Sequence, residues 1–162
     1  TSWLLEILMN EGDVDLALDL LSQRDYPGLG YFIKLGFTTY PESWDYRTAI
    51  QPSFCHTSYS GTSFWFLEAL AGIKPDMNNP GLKSITLAPQ FTKKLPGVEC
   101  SINSFRGLIE SSWRWVDDST IEYTVNVPNG SRGKLVLPPG FRPENDIKNI
   151  KPGKKIIRFK KL

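Results

Sequence analysis

The chain has 162 residues, 40% of them apolar and 22% charged, a composition that builds a core and excludes a disordered tail. Its 19 basic and 17 acidic residues leave a net charge of +2, which excludes a general electrostatic pull towards nucleic acid or anionic lipid. Two distant cysteines, Cys55 and Cys100, make no disulfide framework, and one histidine, His56, makes no zinc cluster.

No metal or cofactor is therefore expected, and neither a nucleic-acid nor a membrane partner. No apolar run reaches the length of a membrane span, and there is no signal-peptide pattern. The chain starts at Thr1-Ser2-Trp3 rather than at a methionine, which implies a piece cut from something longer.

The first part reads as helical. Trp3, Leu4, Leu5, Ile7 and Leu8 predict a short apolar helix ending near Asn10-Glu11-Gly12. Asp13 fits an N-cap, and apolar residues at helical spacing follow it up to Ser22-Gln23. Pro27-Gly28 opens a segment from Leu29 to Leu35, with Gly36 as its stop. Residues 37 to 56 read as a loop containing Pro41 and Pro52. Residues 57 to 71 predict the clearest helix, with Phe64, Leu67 and Ala71 on one face and Gly72-Ile73, then Pro75, ending it. Helices joined by short turns suggest a layer of α/α-hairpins.

The character changes at the turn-rich stretch from Lys74 to Gly81. Ile85 to Ala88 predicts a short strand. Val98, Cys100, Ile102 and Ser104 alternate with polar residues, and so do Ile109, Ser111, Trp113 and Trp115. Ile121, Tyr123, Val125 and Val127 make a further strand, and Lys134 to Leu137 and Lys155 to Phe159 supply two more. Strands at intervals of roughly ten residues predict an antiparallel β-sandwich. The lysines around Ile156, Ile157 and Phe159 suggest a solvated edge strand rather than a nucleic-acid patch. The expected class is α+β, with residues 1–75 helical and residues 76–162 the sandwich. About seventy helical residues give only a marginal core, so they read as the last helices of a larger helical body.

The candidate site is the stretch Thr38-Thr39-Tyr40-Pro41-Glu42-Ser43-Trp44-Asp45, with Ser53-Phe54-Cys55-His56 one loop later. A carboxylate, an imidazole and flat aromatic faces suit an enzyme that holds a sugar ring and activates water against it. Glu42 among Tyr40, Trp44 and Tyr46 is placed for acid–base work, because aromatic surroundings desolvate a carboxylate. A solvated loop charge is the plainer reading of Glu42, and a helix-start residue the plainer reading of His56. Asp45 is either a third polar group or a turn residue. Trp65 and Phe64 read as core, and Trp113 and Trp115 as sandwich filling rather than a sugar platform.

Over nearly its whole length the chain resembles the C-terminal end of bacterial α-L-rhamnosidases, inverting glycoside hydrolases with an (α/α) toroid and a closing β-sandwich. Gly36-Phe37-Thr38-Thr39 and Glu42-Ser43-Trp44 look like the family's Gly-Ala-Thr-Thr, two apolar residues, then Glu-x-Trp. Ser53-Phe54-Cys55-His56 looks like its Ser-x-Asn-His. Leu70-Ala71-Gly72-Ile73 is similar to its helix ending, and Pro89, Gly107 and Trp113 resemble marks of its sandwich.

The resemblance implies that Glu42 is the general base and that His56 contacts the sugar. Trp44 as an apolar wall for the methyl edge of the sugar is an inference from its position. The implied partners are a rhamnose-containing oligosaccharide or glycoside and the missing N-terminal part of the parent chain. The family's general acid lies in an earlier part of the toroid, and Glu6, Glu11 and Glu68 do not replace it, so this chain alone is expected to be inactive. The chain departs from the family pattern at Pro41 (usually Trp), Cys55 (usually Asn) and Ser60 (usually Gly). Two other readings are a carbohydrate-binding or purely structural sandwich with a helical appendage, and a different (α/α) toroid glycosidase.

Overall fold

A computed structural model describes residues 2–47 and 53–162. The chain divides into two compact units, Thr1–Trp65 and Phe66–Leu162.

The first unit is helical. Helix α1 (Ser2–Glu11) buries Leu5, Leu8 and Met9 and ends one residue before Gly12. Helix α2 (Val14–Ser22) begins where the Asp13 side chain accepts a hydrogen bond from the Leu16 amide at 3.3 Å, satisfying one of the free N-terminal donors. Helix α3 (Leu29–Lys34) follows, with Leu29, Gly30 and Phe32 buried.

Residues 57 to 71 are not the continuous helix that the periodicity predicts. They form α4 (Thr57–Ser60), α5 (Ser63–Trp65) and a π-helical turn at Phe66–Leu70. The break falls at Gly61-Thr62, where the buried Thr62 hydroxyl donates to the Tyr59 carbonyl at 2.7 Å and competes with helical bonding. The break also changes which residues face the core. Trp65 is buried as expected, but Phe64 is 67% exposed.

The second unit is a β-sandwich. One sheet has the order β1 (Ile73–Pro75), β2 (Ser84–Leu87), β7 (Arg132–Leu135), β9 (Asn149–Ile150). The other runs β3 (Gly97–Val98), β5 (Gly107–Trp115), β6 (Thr120–Val127), β10 (Gly153–Lys161), β8 (Phe141–Pro143), with β4 (Ser101–Ser104) also on β5. Every pairing is antiparallel except β2 with β7. The period-two pattern decides which side chains face inward: Ile109, Ser111 and Trp113 on β5, and Ile121, Tyr123, Val125 and Val127 on β6, are buried. They meet Ile73, Ile85, Leu87, Leu135 and Ile150 of the other sheet in one core.

Two expectations shift. Ile73–Pro75, grouped on sequence with the helical part, is a strand paired with β2. Strand β10 pairs with β6 along nearly its whole length, and β8 covers its last three residues, so its other side is an edge only over residues 153–158, which include Lys154 and Lys155.

The helix end is joined to this sandwich by hydrogen bonds. A helix leaves its last carbonyls without intrahelical donors. Here the Ala69 carbonyl accepts from the Gln90 amide at 3.0 Å, Leu70 from the Trp113 indole at 2.8 Å, Ala71 from the Ser111 hydroxyl, and Gly72 from the Ala88 amide at 2.8 Å. Gly72 has φ +72°, and a Cβ there would sit 2.1 Å from the Pro89 nitrogen, so only glycine fits.

Candidate functional site

The site residues lie in the first unit, on a loop packed over α3. Phe32 is fully buried and forms the centre of an aromatic cluster. Trp44 stacks on it with ring centroids 4.9 Å apart and planes at 5°. Phe37, Tyr40, Tyr46 and Tyr59 surround Phe32 at 5.7 to 6.3 Å, mostly edge-on. Such offset and edge contacts each add about 0.5–1.5 kcal/mol beyond simple burial. This aromatic nucleus adds to the aliphatic residues that the helices bury, Leu5, Leu8, Val14, Ala17 and Leu29 among them.

The chain entering and leaving this cluster pairs with itself. The Glu42 amide donates to the Ser53 carbonyl at 2.8 Å, and the His56 amide donates to the Tyr40 carbonyl at 3.0 Å. The Thr39 hydroxyl also donates to the Phe54 carbonyl. These bonds lay residues 39–42 alongside residues 53–56. Glu42 and His56 thus stand on neighbouring backbone segments.

Glu42 is exposed, so the aromatic surroundings expected from its neighbours do not desolvate it within this unit. His56 and Trp44 are half-buried. The Tyr59 ring lies 4.9 Å from Trp44 and 6.2 Å from Phe32. The Tyr26 ring stands edge-on to Trp44 at 6.4 Å, so the half-buried indole is held by three rings, Phe32, Tyr59 and Tyr26.

Asp45 is held rather than loose. Its carboxylate accepts from the Tyr26 hydroxyl at 3.2 Å, and its amide donates to the Ser43 hydroxyl at 3.2 Å. The Asp45 carboxylate raises the Tyr26 phenol above its usual pKa, because the hydrogen bond favours the protonated form. The Tyr59 phenol is raised by burial. Tyr26, Phe32 and Tyr59 are the site residues that the sequence reading did not single out. The signal for them is the density of rings between residues 26 and 59, which exceeds what a solvated loop carries.

Of the departures from the family pattern, Pro41 is buried and Cys55 is exposed. The side chain of Ser60, and residues 48–52 with Pro52 among them, lie outside the described residues. Among the described residues no three histidine, cysteine or acidic side chains come together as metal ligands. No helix among them is long and apolar enough to cross a membrane. On the sandwich, Trp113 is 2% exposed, which places its ring in the core.

Comparison with known proteins matches both units. Residues 1–70 match the model of the bacterial alpha-L-rhamnosidase 6 hairpin glycosidase domain, and residues 72–151 that of the bacterial alpha-L-rhamnosidase C-terminal domain. An alpha-L-rhamnosidase of Alteromonas sp. (strain LOR) is 33% identical over 145 residues, covering 85% of this chain and 15% of that protein. The chain thus spans about one seventh of the length of the curated relatives it matches. Among solved structures, the alpha-L-rhamnosidase from Dictyoglumus thermophilum shares the fold with a TM-score of 0.81 and 21% identity, over 96% of this chain and 20% of that one. The Streptomyces avermitilis alpha-L-rhamnosidase complexed with L-rhamnose does so with a TM-score of 0.73 and 23% identity, over 97% and 16%.

Proposed function

The chain belongs to the bacterial α-L-rhamnosidase family, and from that premise we propose that it supplies the general base, Glu42, for inverting hydrolysis of terminal α-L-rhamnosyl linkages. The observation that carries this reading is the pairing of residues 39–42 with 53–56 over the Phe32–Trp44 stack. The loop segments that it joins carry an exposed carboxylate, Glu42, and a half-buried imidazole and indole, His56 and Trp44.

In the proposed reaction the Glu42 carboxylate takes a proton from water as that water attacks the anomeric carbon. A carboxylic acid on the opposite face protonates the leaving oxygen. The two groups stand about 6.5–9.5 Å apart to admit the water. His56 holds a sugar hydroxyl, and Trp44 is the proposed apolar wall for the 6-deoxy methyl edge. The acid belongs to the preceding part of the hairpin domain, which is the proposed partner of this chain. Glu6 and Glu11 sit exposed on α1, and Glu68 is on the π-helical turn, away from the Glu42 loop in sequence. This chain alone is therefore proposed to be inactive. The substrate class is a rhamnose-containing glycoside, as the L-rhamnose complex of the Streptomyces avermitilis relative suggests.

The role proposed for the sandwich is structural. Its hydrogen bonds to the carbonyls of residues 69–72 finish the helix end.

An amide NMR titration of the chain with L-rhamnose, with D-glucose and L-fucose as controls, tests the site. Rhamnose-selective shifts at Glu42, Trp44 and His56 are expected. Equal shifts with all three sugars would contradict the proposed site, and turnover of an aryl α-L-rhamnoside by the chain alone that Glu42→Gln abolishes would overturn its proposed inactivity while keeping Glu42 as the base.

A further inference from the structure

The outer face of the six-stranded sheet carries a trough that none of these roles uses. Alternation along β5 turns Ile109, Ser111 and Trp113 inward, so Glu110, Ser112 and Arg114 stand on the opposite face. Register places Ser112 across from Thr124, and Arg114 across from Glu122. Two rows of ion pairs bound this surface. Lys154 Nζ lies 3.1 Å from a Glu110 carboxylate oxygen. In the other row Arg114 lies 2.6 Å from Glu122, whose second oxygen is 3.7 Å from Arg158. The Ser112 and Thr124 hydroxyls lie between the rows. Residues 96–101, where the edge interrupts between β3 and β4, wall one side. The space within this open trough is about 980 Å³. Small-molecule sites occupy about 300–1,000 Å³.

The chemistry of the lining selects the occupant. Glu110 is matched by Lys154, Glu122 stands between Arg114 and Arg158, and Glu99 on the wall brings the trough to three carboxylates against three cations, so an ion of either sign meets like charges there. A purely apolar ligand would strip water from both rows and return no hydrogen bonds. A neutral polyol satisfies both kinds of group: its hydroxyls donate to the carboxylates and accept from the guanidinium and ammonium groups. Leu108, 43% exposed on the rim, offers an apolar edge for the C–H face of a ring. An ordinary solvated sheet face has the ion pairs but not the wall that makes this one concave.

We propose that this trough binds a neutral saccharide of one or two rings, at a site separate from Glu42. The sheet face alone carries the proposal, so it stands or falls independently of the catalytic reading.

The test is an amide NMR titration of the 162-residue chain with methyl α-L-rhamnoside, methyl α-D-glucoside and sodium D-galacturonate. A neutral glycoside is expected to give saturable shifts at Leu108, Ser112 and Thr124, with a dissociation constant on the order of millimolar for a single ring. Glu110→Gln replaces a charged acceptor by a neutral amide and is expected to weaken this binding about tenfold. Glu42→Gln is expected to leave it unchanged. Absence of saturable shifts at those three amides with both glycosides would overturn the proposal. So would tighter binding of galacturonate than of the glycosides, or an unchanged affinity in Glu110→Gln.

Discussion

The indole Nε1 of Trp113 donates a hydrogen bond to the carbonyl oxygen of Leu70 at 2.8 Å, across the core of the sandwich unit. The ring fills space beside Phe91, and its one polar atom closes a helix end that would otherwise bury a bare carbonyl. Trp113→Phe keeps most of the ring and removes the donor. We expect it to cost the sandwich about 1–3 kcal/mol, the penalty for an unsatisfied buried acceptor. Trp113→Ala adds a cavity and is expected to cost about 3–5 kcal/mol. Urea unfolding followed by near-ultraviolet circular dichroism reads both.

The sandwich has an acid limb and an alkaline limb, set by different groups. The Ser119 amide and then the Thr120 hydroxyl hold the Asp117 carboxyl down at about 2. The Arg114 guanidinium holds Glu122 below the usual carboxylate range. A carboxyl whose folded pKa is depressed stabilises the fold above its unfolded value, and that contribution fades as pH falls towards the folded one. Stability is therefore expected to decline from about pH 4 towards about pH 2.

Tyr123 has the opposite sign. Burial pushes its phenol up, so the folded form resists ionisation while the unfolded chain ionises near pH 10. Its contribution is complete below about pH 10 and is lost above it. In an alkaline titration followed by tyrosinate absorbance, one of the six tyrosines is expected to ionise only as the sandwich unfolds. Tyr123→Phe should abolish that coincident step.

In the helical unit, Phe32 is the ring on which the site loop rests. Phe32→Ala is expected to cost about 3–5 kcal/mol, much of what a unit this small can hold. Hydrogen exchange should show the Glu42 and His56 amides losing protection together, because both pairing bonds depend on the cluster. Trp44→Phe keeps a flat ring on Phe32 and should leave that protection nearly intact.

The sequence made the elements with strong periodicity legible. The Asp13 cap and the inward faces of β5 and β6 stand where the spacing placed them. It misled where a local bond competes with periodicity. Thr62 breaks the helix by bonding back to Tyr59, which leaves Phe64 in solvent. It was silent where structure depends on distant residues. The parallel pairing of β2 with β7 and the capping of residues 69–72 by Ala88, Gln90, Ser111 and Trp113 arise from chain segments apart in sequence. In the candidate site, Glu42, Trp44 and His56 stood out as residue types. Phe32, Tyr26 and Tyr59 did not, because their part is to hold the loop, and no single ring announces that.

The most direct test of the central claim is the turnover of an aryl α-L-rhamnoside by the longer protein proposed to contain this chain, with Glu42 and with Glu42→Gln. A general base contributes about 10²–10⁴ in rate. We expect kcat to fall by that factor, with KM little changed and with the β-anomer of rhamnose released first by the unaltered protein. Turnover in Glu42→Gln within about twofold of the unaltered protein would contradict the assignment, since no acid–base role is that weak.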